Sequence, residues 1–185
     1  MSTAFVPKEI QPGETRVALV ADGVKRLTAT GLTIQIESGA GAAARVSDAD
    51  YEKAGAKIVG SEAWAGADLV LKVQPPTLAE VGRLKSGAVL VSFVYAVGNR
   101  ALADALAKGN VSTLAMELVP RITRAQAMDA LSSQATVAGY KAVILGAAHS
   151  PRMFPLLMTA AGTVPPARVV VFGAGVAGLQ AIATA

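Results

Sequence analysis

The 185-residue sequence contains no cysteine, a single histidine and only 4% aromatic residues. Without cysteine the chain can form no disulfide, no thiolate nucleophile and no cysteine-ligated zinc site. The one histidine, His149, follows an alanine-rich helical pattern, where the helix dipole favours an imidazole and predicts a structural role. The sequence therefore predicts neither a metal site nor cysteine chemistry.

Charge and hydrophobic runs exclude further classes of protein. The 17 lysines and arginines give a net charge of +4 but are scattered, which is a poor match to nucleic-acid binding. No apolar run reaches the roughly 18 residues of a membrane-spanning helix, and the N-terminus does not resemble a signal peptide. We therefore expect a soluble, cytoplasmic, globular protein that does not bind nucleic acid.

The pattern of apolar runs predicts the fold of the first part of the chain. Short apolar runs alternate with helical patterns, an arrangement typical of a largely parallel sheet covered on both faces. The predicted strands are residues 16–20, 33–37, 68–73, 88–94 and 112–118. The sequence thus predicts a doubly wound, Rossmann-like α/β domain over residues 1–124.

After Pro120 the pattern changes to one long helical stretch, residues 125–148. We expect this helix and a connector to fill residues 125–164 and to join the first domain to a second. Residues 165–185 then read as the start of a second Rossmann domain, with a strand at 169–172 and a helix at 179–185.

The turn between these last two elements contains a glycine pattern. Gly173, Gly175 and Gly178 fit G-x-G-x-x-G, and Val176 and Ala177 stand between the last two glycines. In a dinucleotide-binding turn the glycines permit a tight turn, close approach of a pyrophosphate, and close packing of helix and strand. A bare packing turn is the alternative. No acidic ribose-binding residue follows, so we expect the chain to be the N-terminal fragment of a longer protein.

Motifs along nearly the whole chain resemble one family. They are PGETRVALV, ESGAGAAARVSDADYEKAGAKI, ADLVLKVQPP, LVSFVYAVGN, AMELVPRITRAQAMDALSSQATVAGYKAV and TAAGTVPPARVVVFGAGVAGLQAIATA. Together they resemble the NAD(H)-binding domain of the alpha subunit of proton-translocating nicotinamide nucleotide transhydrogenases. Alanine dehydrogenases share several of these motifs and the same fold.

Three positions separate the two activities. Alanine dehydrogenases carry an arginine, a lysine and a histidine where this chain has Arg16, Lys72 and Tyr95. Oxidative deamination needs proton transfer near neutral pH, for which histidine is suited and a phenol with a pKa near 10 is not. Arg16 and Lys72 could bind a carboxylate, or could serve as ion-pair partners of Glu14 and Asp68.

The segment PRITRAQAMDALSS matches a loop of the transhydrogenase family that surrounds the nicotinamide and its ribose. The resemblance implies cofactor-binding roles for Arg121, Gln126, Asp129 and Ser132. A carboxamide has an acceptor oxygen and a donor NH2, so arginine and serine can donate to it while aspartate accepts. The alternative is that Asp129 and Ser132 cap a helix and that Arg121 is a solvated charge.

The transhydrogenase resemblance implies hydride transfer from NADH to NADP+ on a neighbouring component, coupled to proton translocation through a membrane component. It implies NAD(H) as the cofactor, no catalytic acid or base, a homodimer, and a peripheral location on the inner face of a bacterial plasma membrane. The fragment alone is expected to be inactive. An alanine dehydrogenase-like enzyme and a non-catalytic domain that keeps the fold are the alternatives.

Overall fold

The computed structural model describes residues 2–185. The chain forms two compact units, Met1–Val119 and Pro120–Ala185. The first unit ends before the domain boundary that the sequence predicts at residue 124, and the division into domains and a linking helix stays a prediction.

The first unit is built on a six-stranded sheet in which every strand pair is parallel. The strands are β1 (Thr3–Val6), β2 (Thr33–Glu37), β3 (Lys57–Val59), β4 (Leu69–Leu71), β5 (Val89–Ser92) and β6 (Ser112–Ala115). Their order in the sheet is β3-β2-β1-β4-β5-β6. This is the strand order of Rossmann sheets, so the predicted doubly wound fold is confirmed.

Helices cover both faces of this sheet. They are α1 (Ala21–Thr28), α2 (Asp48–Lys53), α3 (Leu78–Val81) and α4 (Arg100–Lys108), with 3-10 helices at Ala42–Ala44, Ser61–Gly66 and Met116–Leu118. Successive residues of β1 point to opposite faces, so Phe5 belongs to one core cluster and Val6 to the other. Trp64 packs in the first cluster, edge-on to Phe5 with ring centroids 5.6 Å apart.

The strand predicted at residues 16–20 is wrong, and β1 and β3 were not predicted. Residues 17–19 pack against the core as an irregular segment before α1, and the Leu19 carbonyl accepts a hydrogen bond from the Tyr51 hydroxyl at 2.8 Å. An apolar run alone does not distinguish a strand from such a packed segment. The central position in the sheet is instead taken by the four residues of β1.

The second unit contains a 3-10 helix (Thr123–Met128), α5 (Ala130–His149), an antiparallel hairpin of β7 (Leu157–Thr159) and β8 (Gly162–Val164), and α6 (Val176–Thr184). The long helix is thus found close to its predicted bounds. It begins at residue 130 because Asp129 is its N-cap, and His149 lies in its last turn, as expected for a structural histidine.

The strand predicted at residues 169–172 is wrong. Among the described residues no strand pairs with this segment, and Val170 and Phe172 are largely exposed. An extended segment without a neighbour has no partner for its backbone hydrogen bonds, so sequence pattern alone does not make it a strand. The helix after the glycine turn begins earlier than predicted, at Val176.

The two helices of the second unit pack closely at one glycine. A Cβ atom on Gly139 of α5 would lie 2.9 Å from the carbonyl carbon of Ala177 and 3.0 Å from its Cα. Both distances are too short for a side chain, so Gly139 is where the backbone of α6 approaches α5. This contact fixes the start of α6 relative to the middle of α5.

Candidate functional site

The second unit contains a cavity of about 540 Å³ beside the start of α5. It is lined by Arg121, Ile122, Thr123, Gln126, Asp129, Ser132, Ser133 and Val176. The four loop residues predicted to bind the cofactor therefore lie around one cavity, together with Val176 from the glycine turn. The structure brings these residues together, and their cofactor-binding roles stay predictions.

Asp129 is the most constrained residue of this cavity. One carboxylate oxygen accepts the Ser132 backbone N–H at 2.9 Å, and the other accepts the Ser132 hydroxyl at 2.6 Å. These two hydrogen bonds, helped by the positive charge of Arg121, lower the pKa of Asp129 below its ordinary value. The carboxylate is thus ionised at neutral pH and acts only as an acceptor.

The remaining polar groups come from the segment that precedes α5. Arg121 and Gln126 are exposed to solvent. Thr123 and Gln126 stand three residues apart on the 3-10 helix, where such side chains share one face. The cavity therefore presents a guanidinium donor, an amide with both a donor and an acceptor, a hydroxyl and a carboxylate.

The capping role that the sequence left open for Asp129 is present in the structure. Asp129 is the N-cap of α5, and its side chain accepts from the third residue of the helix, Ser132. Capping and ligand binding do not exclude each other, because a carboxylate has about four lone-pair sites and Ser132 occupies two of them. The carboxylate therefore keeps acceptor capacity beyond its two bonds to Ser132.

The glycines of the turn before α6 have three different environments. Gly173 has a φ of 102°, which favours glycine, and a Cβ on Gly178 would collide with the carbonyl oxygen of Gly173. A Cβ on Gly175 would meet no atom within 4 Å. Gly175 is the N-cap of α6, and among the described residues no side chain caps this helix. The first backbone N–H groups of α6 and the open space at Gly175 together fit an anionic group.

In the first unit, Lys72 lies just after β4, where the strand order reverses between β1 and β4. Its ammonium nitrogen lies 3.0 Å from a carboxylate oxygen of Glu9 and 3.3 Å from one of Glu80. All three side chains are at least nine-tenths buried. Lys72 is thus an ion-pair partner, but not of Asp68, which pairs with Lys85 at 2.6 Å.

Glu9 contacts the backbone after β4 as well as the side chain of Lys72. Its carboxylate also accepts the backbone N–H of Val73 at 2.6 Å and that of Gln74 at 3.3 Å. Neither Glu9 nor Glu80 was predicted from the sequence. The signal available was a glutamate just after a strand and a Thr-x-x-Glu capping box at Thr77, which places Glu80 at the start of α3.

Arg16 pairs with Glu14, as its alternative interpretation predicts. The guanidinium donates to both carboxylate oxygens, at 2.8 Å and 2.6 Å, and the Gln74 amide donates to Glu14 at 2.6 Å. The hydrogen bond from the Arg16 side chain is the main cause that lowers the pKa of Glu14 from 4.5 to about 2. Arg16 is therefore already engaged by a carboxylate of its own chain.

Tyr95 has a left-handed backbone conformation with a φ of 50°. Its ring stacks on Phe93 with centroids 5.8 Å apart, and its backbone N–H donates to Glu117 at 2.5 Å. The side chain is half exposed. This phenol occupies the position at which the resemblance predicts a histidine in alanine dehydrogenases, and Lys72 and Arg16 are paired with Glu9 and Glu14.

Residues 2–185 show neither a metal centre nor a membrane span. No group of three or more histidine, aspartate or glutamate side chains in this range could hold a metal ion. None of the helices in the same range combines the length and the hydropathy required to cross a bilayer.

Fold and site together define an α/β protein with a Rossmann sheet and, in its second unit, a polar cavity beside a dinucleotide-type glycine turn. Residues 5–138 match the family described as alanine dehydrogenase/PNT, N-terminal domain, and residues 142–185 match the alanine dehydrogenase/PNT, C-terminal domain. The chain belongs to this alanine dehydrogenase/PNT family.

The chain is more similar to a transhydrogenase subunit than to an alanine dehydrogenase among the relatives that follow. The chain is 53% identical over 187 residues to an NAD(P) transhydrogenase subunit alpha polypeptide of Rhodospirillum rubrum, covering 97% of this chain and 49% of that relative. It is 40% identical to the alanine dehydrogenase of Mycobacterium tuberculosis, covering 95% of this chain and 48% of the relative. The crystal structure of transhydrogenase from Sinorhizobium meliloti matches with a TM-score of 0.96 and 49% identity, over 99% of this chain and 55% of that one.

The chain thus spans about half the length of the curated relatives that it matches. The predicted family and the predicted Rossmann-like fold with the start of a second dinucleotide-binding domain are confirmed. NAD(H) as the cofactor of the family is confirmed with them.

Proposed function

We propose that this chain is part of the NAD(H)-binding component of a proton-translocating transhydrogenase. The observation that carries the proposal is that Arg121, Gln126, Asp129 and Ser132 line one and the same cavity. Greater identity to transhydrogenase alpha subunits than to an alanine dehydrogenase supports it. In the proposed reaction a hydride passes from NADH to NADP+ held by a neighbouring component, with coupling to proton movement across a membrane.

The cavity residues would bind and orient the nicotinamide end of the cofactor. Arg121 can donate to the carboxamide oxygen, and the ionised Asp129 can accept from its NH2 group. The one hydroxyl proton of Ser132 already goes to Asp129, so Ser132 would orient that carboxylate towards the carboxamide. Gln126 suits a ribose hydroxyl or the neighbouring nucleotide. When bound, the cofactor supplies the hydride, so the chain needs no acid or base at this step and contributes position and exclusion of water.

The glycine turn would hold the pyrophosphate. The open space at Gly175 and the uncapped N–H groups of Val176, Ala177 and Gly178 form the anion-binding start of α6. Val176 also lines the cavity at Asp129, so phosphate and nicotinamide contacts would be neighbours in the second unit. The assigned cofactor-binding residues are thus Arg121, Gln126, Asp129, Ser132, Gly173, Gly175, Val176, Ala177 and Gly178.

The proposed partners are the NADP(H)-binding and membrane components and a second copy of the chain. The location that follows is peripheral, on the inner face of a bacterial plasma membrane. Proteins named subunit alpha among the relatives support the existence of partner subunits. An alanine dehydrogenase-like activity is less well supported, because Arg16 and Lys72 are paired internally and Tyr95 replaces a histidine.

The test is Asp129→Asn in the full-length protein. Asparagine caps helices about as well as aspartate, so α5 should be kept while the carboxylate charge is lost. We expect hydride transfer to fall about a hundredfold, the effect of a small misplacement of the reacting atoms. The affinity for NADH should fall less, because the phosphates bind elsewhere. Stopped-flow transfer to the NADP(H) component and calorimetric titration of NADH measure the two effects.

Arg121→Ala should resemble Asp129→Asn, since it removes a donor from the same cavity. Arg152→Gln is the matched control, because it removes an arginine from beyond the far end of α5. Normal transfer rates in both Asp129→Asn and Arg121→Ala would show that the loop only caps the helix.

A further inference from the structure

The charge of the chain is unequally divided between its two units. Residues 120–185 contain five basic residues and one acidic residue, which account for the whole net charge of +4. The basic residues are Arg121, Arg124, Lys141, Arg152 and Arg168, and the acidic one is Asp129. Because Asp129 is buried at the start of α5, the surface of this unit offers its own cations almost no partner.

Arg124 is the cation at the edge of the cavity. It lies on the 3-10 helix Thr123–Met128, whose side chains three apart share a face. Thr123 and Gln126 line the cavity and Ala125 is buried, which leaves Arg124 on a third face. Arg124 is exposed and is not among the residues that line the cavity. It therefore lies outside the wall of the cavity and is accessible from solvent.

Arg124 also has no carboxylate of its own. Among residues 2–185 the ion pairs involve other arginines and lysines, and none includes Arg124. Its neighbours Ile122 and Met128 are 54% and 58% exposed. An arginine between exposed apolar side chains is the composition that protein interfaces favour over the rest of a surface. We call residues 122–128 the rim segment.

The proposed reaction requires a partner at this place. Direct transfer between two nicotinamides needs the reacting atoms to approach within about 3.5 Å, so the component that carries NADP(H) must cover the cavity and its edge. We infer that Arg124 is an electrostatic docking contact, and that it meets a carboxylate on the surface of the NADP(H)-binding component. The inference rests on the proposed function, and it assigns to Arg124 a role in recognising the partner rather than the cofactor.

The test compares Arg124→Gln with Arg152→Gln in the full-length protein. Both variants lose one exposed arginine of the second unit, but Arg152 lies beyond the other end of the 20-residue helix α5, which is about 30 Å long. That length exceeds the Debye length of about 10 Å at 0.1 M salt, so Arg152 should not act on the rim segment.

Association with the NADP(H)-binding component is titrated at low and at high salt, without nucleotide, and NADH affinity is measured separately. We expect Arg124→Gln to weaken association about fivefold at low salt, the effect of one exposed ion pair, and to make it less sensitive to salt. Arg124→Glu should weaken it further. NADH affinity should stay unchanged in all variants, and Arg152→Gln should match the unmodified protein in both measurements.

Equal association of Arg124→Gln and the unmodified protein would overturn the docking role, as would an equal loss in Arg152→Gln. A loss of NADH affinity in Arg124→Gln would instead assign the residue to the cofactor and also overturn it. If the unmodified protein bound the partner but not NADH, the proposed function would fail while the Arg124 comparison still decided the docking role.

Discussion

The ammonium group of Lys72 lies 3.0 Å from the carboxylate of Glu9, at the reversal of strand order between β1 and β4. Open α/β sheets commonly bind their ligands at this point. Here both side chains are buried, and Glu80 completes the group at 3.3 Å. The point of strand reversal in the first unit is therefore occupied by ion pairs that belong to the chain itself.

Removing Lys72 should destabilise the first unit strongly. Lys72→Met leaves Glu9 and Glu80 buried without a cation, and breaking a buried ion pair in this way costs about 3–5 kcal/mol. Urea unfolding of the full-length protein gives the change in free energy of unfolding. The triple variant with Glu9→Gln and Glu80→Gln should recover part of the loss. If Lys72→Met alone were as stable as the unmodified protein, the buried ion pairs of Lys72 with Glu9 and Glu80 would be contradicted.

The lowered pKa of Glu14 predicts that this residue contributes to the loss of folding stability in acid. Because Arg16 lowers this pKa from 4.5 to about 2, folding is favoured above pH 4.5, and the contribution is lost as the pH falls towards 2. Glu14→Gln should therefore lose stability less steeply than the unmodified protein between pH 4.5 and about 2. Urea midpoints measured across this pH range provide the check. Glu52→Gln, at an exposed position, controls for the loss of one charge.

The glycine turn offers a pair of variants with opposite expected effects. Gly175→Ala places a methyl group in open space at a φ of −77°, so the protein should fold normally while NADH binds more weakly. Gly178→Ala forces a methyl group against the carbonyl of Gly173 and should lower the melting temperature. Calorimetry with NADH and thermal unfolding separate the two. Unchanged NADH affinity in Gly175→Ala would argue for a bare packing turn.

Tyr95→His tests the alternative enzyme. Histidine tolerates the left-handed conformation at this position better than most residues, so the variant should fold. Oxidation of alanine with NAD+, followed by NADH absorbance in the full-length protein, should remain at background, because Arg16 and Lys72 are already paired with carboxylates. Measurable deamination by the unmodified protein would overturn the transhydrogenase proposal directly.

The elements that the sequence predicts well are those whose pattern is complete within a few residues. β2 alternates buried and partly buried residues over Thr33–Glu37, and α4 runs between an asparagine N-cap and a glycine. β3 has only three residues, and the segment 16–20 has a strand's composition without a place in the sheet. The whole sheet decides which apolar run pairs with a neighbouring strand. A local sequence pattern does not contain that information.

The candidate site shows the same limit. The residues of the cavity could be predicted because they stand close together in one motif, and the capping role of Asp129 follows from its position before a helix. The partners of Lys72 could not, since Glu9 is 63 positions away in the chain and reaches it only through the pairing of β1 with β4. Long-range ion pairs depend on topology, which the local sequence does not state.

The carboxylate of Asp129 caps the first turn of α5, and Asp129 also lines the cavity. Occupancy of the cavity and fraying of that turn are therefore linked equilibria, and by reciprocity each changes the other by the same free energy. A ligand that donates a hydrogen bond to the carboxylate in its present orientation makes opening of the turn rarer. The Ser132 amide proton should therefore exchange with solvent more slowly when such a ligand occupies the cavity.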